Sequence, residues 1–255
     1  MANDIEVALV APCYLAGPGD PAWITVPLHR ACGWTTTEEP LTRRVVRTSP
    51  DRQAELRVDP TPDDQWWHLH HAADADHPAW YASFGARTPV ELIAAVLDAL
   101  TDPVTPQATA CDPLEPVRQA GWAWSPGARI SPDGIAEIEH FTDHGSNSWF
   151  ITAALSDDPE NSLWQACFGG NTPDYLITAF TRTLADPSPL IRDPLSLPPR
   201  ARRHTHLRTE QLPAGTVAFA LEHRTAALAQ RRAPSPATST APPAPPQEPR
   251  PRRAR

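Results

Sequence analysis

A chain of 255 residues has room for one or two domains, and its 32 prolines, far above the usual share of roughly 5 %, divide it into a folded part and a proline-rich part. The net charge of −8 hides an asymmetry: residues 192–255 carry 12 arginines against four carboxylates, a net +8, while residues 1–191 carry 10 arginines against 26 carboxylates, a net −16. No run approaches the ~20 apolar residues of a membrane helix, no signal peptide opens the chain, and none of Cys13, Cys32, Cys111 and Cys167 forms a C-x-x-C pair, which argues against a membrane span and a zinc ribbon and for a reducing cytoplasm.

Lysine is absent, and the all-arginine basic set reads as a GC-rich coding bias. An internal repeat organises the rest. Trp80–Pro103 and Trp164–Pro187 are identical at 12 of 24 positions, Ser49-Pro50-Asp51 matches Ser131-Pro132-Asp133 at an offset of 82, Trp67 matches Trp149 at the same offset, and Gly33-Trp34 matches Gly121-Trp122.

In chain order, a short helix is expected near Pro27–Cys32. The Ser-Pro-Asp turn follows, with proline pre-set for its second position. Ala54, Leu56 and Val58 then alternate with Glu55 and Arg57, the period of a half-buried strand. Two more strands are expected over WWHLHHA and WYASF, separated by the polar loop 74–79. Thr88-Pro89 is a helix start, with threonine as the cap, proline in the first turn, and Glu91 completing a capping box with Thr88. Leu92, Ile93, Val96 and Leu100 give the apolar stripe of a helix over 88–101, which Asp-Pro ends.

The second copy repeats the pattern: a short helix near Glu115–Ala120, the turn at Ser131, strands over Ala136–Glu139, SWFITAA and WQACF, and a helix over 172–185 with the stripe Leu176, Ile177, Phe180 and Leu184. The fold class expected is α+β: two tandem repeats, each a short helix, a four-stranded antiparallel meander and a covering C-terminal helix, at residues 8–105 and 111–187. Residues 188–255 read as a Pro/Arg-rich tail, mostly disordered, with an amphipathic helix near 216–232.

These residues resemble the actinobacterial domain-of-unknown-function family 317, in two tandem copies. The matching features are YLAGPGDPAW at Tyr14–Trp23, the Gly-Trp pair, the Ser-Pro-Asp turn, the Trp-rich strand, and W-x-A-x-F-G-x-x-T-P in both copies. The resemblance covers roughly residues 8–187. It supports the fold and implies no activity.

Candidate sites are few. Gly17-Pro18-Gly19-Asp20 lacks the Gly-Lys-Ser/Thr end of a phosphate loop and reads as a tight turn. His68, His70, His71 and His77 cluster in sequence with Asp74 and Asp76, yet the second copy has Phe150 and Thr152 at the first two positions, so an exposed polar face is the plainer reading. His140 and His144 earn the same reading. Ser49 and Ser131 lack a nucleophile context, and Cys167 aligns with Ser83, which suggests packing. Trp66, Tyr81 and His68 are more informative: the second copy has Ser148 and Gln165 at the first two, and strand alternation puts all three opposite the helix. They form either a partner surface or a seal between the copies.

The function expected is a non-enzymatic binding or adaptor protein with an unknown protein partner, monomeric, its two copies packed as an internal pseudo-dimer through apolar sheet faces or helices, without catalytic residues, cofactor, metal or membrane contact. A nucleic-acid-associated protein, binding weakly and non-specifically through the basic tail, is the alternative. A small hydrolase with an unrecognised site is the third.

Overall fold

The computed structural model describes residues 4–39, 44–59, 65–75, 77–103, 111–143, 146–156, 158 and 161–233. Each repeat contributes five strands, where four were expected. The first gives β2 (Thr35–Glu39), β3 (Arg44–Thr48), β4 (Ala54–Val58), β5 (Gln65–His71) and β6 (Trp80–Gly85). The second gives β7 (Ala123–Ser125), β8 (Ala128–Ile130), β9 (Ala136–Asp143), β10 (Ser146–Ala154) and β11 (Ser162–Phe168). The strands missed at the edges have a physical reason to be silent. The TTTEE of β2 has no apolar alternation, and β7 is only three residues long.

All ten strands join one antiparallel sheet in the order β2-β3-β4-β5-β6-β11-β10-β9-β8-β7. The repeats meet edge to edge, not face to face as one option held. At the seam Ala82 pairs with Phe168, Ser83 with Cys167 and Phe84 with Ala166. Because Ser83 and Cys167 are equivalent positions, the join is self-complementary, as in an isologous dimer. Pairing the last strand of each meander removes the edge that would otherwise be exposed in the middle of the molecule.

One face of the sheet carries α2 (Val90–Thr101) and α4 (Asp174–Leu184), which also pack on each other. The stripes are as expected: Leu92, Ile93, Val96, Leu176, Ile177, Phe180 and Leu184 are buried. So are Trp67, Trp149, Trp80 and Trp164, at 2, 6, 6 and 4 % exposure. A single core runs through both repeats, and Phe84, Phe168 and Phe180 lock it at the seam with centroid separations of 5.4–6.0 Å.

The capping box is corrected. Neither helix receives a side-chain cap, and its cap position is the proline. Thr88 Oγ1 is buried with no partner among the described residues, whereas Thr172 Oγ1 donates to the Tyr81 carbonyl at 3.0 Å. Glu91 turns instead to Arg192, forming a bidentate pair at 2.7 and 2.6 Å. Arg192 also donates to the carbonyls of Ala16, Gly17 and Ile191.

The short helices are α1 (Ala22–Arg30) and α3 (Glu115–Gln119). The first starts five residues earlier than expected, with Asp20 accepting from the Ala22 N–H at 2.8 Å. Pro27 lies inside it. Proline has no N–H for the carbonyl four residues back, and here that carbonyl, Trp23, accepts from Arg224 Nε at 3.0 Å.

The segment after the second repeat carries regular structure through residue 233. β12 (Leu190–Arg192) and β13 (His206–Pro213) flank β1 (Asp4–Ala11) in a separate three-stranded sheet. The partner strand lies at the other end of the chain, which local composition cannot reveal. The helix expected near 216–232 is α5 (Ala214–Arg232). It packs on α1, and its Arg224 binds Asp98 through two 2.8 Å hydrogen bonds while covering the Trp23 ring at 5.2 Å. The expectation of disorder beyond residue 233 lies outside the described residues. Among the described residues no helix is long and apolar enough to cross a membrane.

Candidate functional site

The sheet face opposite α2 and α4 carries the side chains that alternate away from the core. Across the first repeat and the seam, Arg57, His68, Ser83 and Cys167 form one row by register, and Glu55, His70 and Tyr81 the next. Trp66, Tyr81 and Phe141 on this face remain 38, 48 and 50 % exposed.

The three residues singled out from the sequence are only partly brought together. His68 and His70 stack at 6.5 Å, and His70 meets Tyr81 at 6.4 Å. Trp66 sits four residues from His70, roughly 13 Å along a strand, where the β5–β6 register shifts between Gln65 and Trp67. Tyr81 lies over the seam. A Cβ on Gly169 would fall 2.5 Å from the Tyr81 ring, so glycine there lets the ring lie against the second repeat. Tyr81 packs over the seam and stays half exposed. His70 completes the row, and cross-strand register to Tyr81 was the signal that could have found it.

Burial pushes the His70 pKa below its ordinary value, with smaller contributions from Arg57 and His68 and an opposing one from Glu55. Beside it, burial raises the Cys167 thiol pKa, with the Tyr81 hydroxyl partly offsetting. A raised thiol pKa means little thiolate at neutral pH and poor nucleophilicity.

The histidines divide between faces. His71 turns to the helix side and stacks on Trp80 at 5.2 Å, His77 pairs with Asp74 at 3.1 Å, and His140 stacks on Trp149 at 4.0 Å. Asp76 and His144 lie outside the described residues. Among the described residues no three His, Cys, Asp or Glu side chains group as metal ligands, and all four thiols are free.

The Ser-Pro-Asp turns have their chemistry committed locally. Ser49 Oγ donates to Asp51 Oδ1 at 2.5 Å and accepts from the Ala54 N–H at 2.9 Å. Ser131 repeats this with Asp133 and Ala136 at 2.6 and 2.9 Å. The Ser49 hydroxyl and the Gln53 N–H hold Asp51 below its usual pKa. The glycine turn at Gly17 presents carbonyls inward: Ala16 and Gly17 accept from Arg192 and Pro18 accepts from the Val90 N–H. An anion loop would present N–H groups.

One constellation escaped the sequence reading. Tyr14, in the short 3-10 turn Cys13–Leu15, is buried against the second repeat. Its hydroxyl donates to Asp133 Oδ2 at 2.8 Å, its ring meets Trp122 edge-on at 6.2 Å, and its carbonyl accepts from Trp164 Nε1 at 2.9 Å. Burial raises the Tyr14 pKa. Cys13 beside it points its thiol at the Thr183 and Leu184 carbonyls, and burial lifts its pKa to about 12.

No curated protein and no solved structure matches this chain. Two segments do match a family model, residues 48–106 and 130–190, and each carries one Ser-Pro-Asp turn or its continuation, the paired core strands and a covering helix. By those two matches, which are consistent with two copies, the chain is similar over both repeats to SPDY, the domain of unknown function DUF317.

Proposed function

We propose that this chain is a non-enzymatic binding or adaptor protein whose open sheet face takes a protein partner. The observation that carries the reading is the strip His68–His70–Tyr81, exposed on the face away from the helices, with Trp66 at its end. Aromatic residues with a polar handle are the side chains that dominate binding at interface centres.

The other readings draw less support. A serine hydrolase loses Ser49 and Ser131 to turn hydrogen bonds. A nucleic-acid role through the basic segment loses Arg192 and Arg224 to buried or half-buried carboxylates, so fewer than the 12 arginines remain for phosphate contacts.

The test compares Trp66→Ala and Tyr81→Phe with the parent protein for thermal stability and for proteins captured from native lysate. A protein captured by the parent and lost with Trp66→Ala, at a melting temperature unchanged within about 2 °C, supports the reading. Capture that survives the loss of Trp66 and of the His70 side chain beside Tyr81 would overturn it.

A further inference from the structure

The two repeats treat the groove beside their Ser-Pro-Asp turns differently. In the second repeat it is filled by the chain itself. Tyr14 enters between Asp133, Trp122 and Trp164, and Cys13 bonds the last carbonyls of α4. In the first repeat the equivalent residues are Asp51, Trp34, Trp80 and, in the last turn of α2, Ala99 and Leu100. Asp51, Trp34, Trp80 and Leu100 line a cavity of about 360 Å³, within the roughly 300–1,000 Å³ of small ligand sites.

The hydrogen-bonding groups match as well. Oδ1 of each aspartate is used in the same way, accepting from the turn serine and a turn N–H. Oδ2 of Asp133 takes the Tyr14 hydroxyl, and the Trp164 indole takes the Tyr14 carbonyl. The counterparts, Asp51 Oδ2 and the Trp80 indole N–H, bond to none of the described residues. The first repeat therefore keeps an acceptor and a donor at the two positions that hold a tyrosine in the second.

We infer that this cavity of the first repeat binds a tyrosine-bearing peptide segment of another protein, with the phenol donating to Asp51, the ring against Trp34, and the tyrosine carbonyl accepting from the Trp80 indole. None of the three tyrosines takes in the first repeat the place that Tyr14 takes in the second: Tyr14 is buried in the second repeat, Tyr81 is on the opposite sheet face, and Tyr175 is part of the wall of this same cavity. The site lies on the helix side of the sheet, apart from the open face.

Two differences between the grooves shape its preference. His71, stacked on Trp80, stands where the second repeat has Ala153. It narrows the entrance, so binding to the first repeat is weaker than the internal docking of Tyr14. Arg232 of α5 donates to the Thr101 carbonyl, at the end of α2 where Cys13 serves the end of α4, and its charge favours an acidic residue next to the tyrosine.

The test uses the full chain and a blocked octapeptide with the chain's own sequence from Ala11 to Pro18, followed by titration of the tryptophan indole N–H resonances. The expected result is a saturable shift of the Trp80 indole. Affinity should fall about tenfold when the peptide tyrosine becomes phenylalanine, and similarly with Asp51→Asn, since a hydrogen bond to a charged group is worth about 1.5–3 kcal/mol and 1.4 kcal/mol is tenfold. His71→Ala, which copies the second repeat, should tighten binding. Because Asp51 also holds its turn, the His71 variant and the peptide change decide the matter should Asp51→Asn unfold. No shift of the Trp80 indole at millimolar peptide in both the parent and His71→Ala would overturn the inference. So would equal binding of the phenylalanine peptide, or a shift confined to the Trp164 indole.

Discussion

Glu91→Gln separates two physical roles for one side chain. If Glu91 served a capping box with Thr88, glutamine would serve almost as well, because either side chain reaches the cap N–H, and the cost would be a few tenths of a kcal/mol. In the structure Glu91 instead neutralises Arg192, with side-chain exposures of 18 and 6 %. Removing one partner of a buried pair costs roughly 3–5 kcal/mol. Three backbone carbonyls continue to accept from the guanidinium and glutamine keeps one acceptor, so the cost falls at or just below the bottom of that range, about 2–3 kcal/mol. For a folded unit of this size each kcal/mol moves Tm by about 2–4 °C, which gives a drop of roughly 4–12 °C. Thermal unfolding followed by far-ultraviolet circular dichroism measures it. A double-mutant cycle with Arg192→Met isolates the pair, since the loss on Glu91→Gln should shrink once the arginine is gone. A fall in Tm below about 2 °C, with no coupling to Arg192, would refute the ion-pair account and return Glu91 to the helix cap.

Two further outcomes follow from the core and from the turn. Trp149→Ala should cost about 3–5 kcal/mol in chemical unfolding, because the ring is 6 % exposed and stacked on His140; Trp124→Ala, at 65 % exposure, should stay within about 0.5 kcal/mol, and equal losses would contradict the assigned faces. Asp51 should titrate below the ordinary carboxylate range and move up in Ser49→Ala, because the serine hydroxyl and the Gln53 N–H favour its charged form; its contribution to stability is therefore complete above the unfolded value near pH 3.9 and is lost as pH falls through the folded one, and carbon-detected NMR of the carboxylate shows whether the shift exists.

What was legible in the sequence was whatever two nearby residues could encode. The stripe of α4 is written at helical spacing and β4 and β9 at period two, and the match between copies marked the buried set Trp67, Trp80, Trp149 and Trp164. What was not legible depended on distant partners. Glu91 looked like a cap because Thr88 is three residues away, while Arg192 is 101 residues away. The order of residues 190–232 depends on β1 at the other end of the chain. Trp66 and Tyr81 were grouped by exposure, which the structure bears out for each, but the register shift in β5 and the missing Cβ of Gly169 give them different neighbours. Tyr14 was read only as part of a family motif, and nothing local points to Asp133, 119 residues on.

The departures from symmetry are not scattered, and their location has a physical consequence. Across the sheet seam the backbone register is symmetric, with Ser83 facing Cys167. Symmetry breaks where the flanking segments arrive: Tyr14 and Cys13 in the groove of the second repeat, Arg232 at the mouth of the groove of the first. The covering helices differ for the same reason. Glu91 opens α2 and faces Arg192 of β12, whereas its counterpart Tyr175 opens α4 and faces the open cavity. A fused pair of identical repeats would have two equal grooves and no way to distinguish their occupants. Filling one groove from within ties the N-terminal segment to the far repeat and leaves a single groove available, so any one chain would present one peptide site. Replacing Tyr14 by alanine should therefore free a second site of the same kind: the Ala11–Pro18 octapeptide would then shift the Trp164 indole as well as the Trp80 indole, with a stoichiometry approaching two. A Tyr14→Ala protein that stays folded and yet shows no shift at Trp164 would mean that the two grooves are alike in residues but not in binding, and the argument from one repeat to the other would fail.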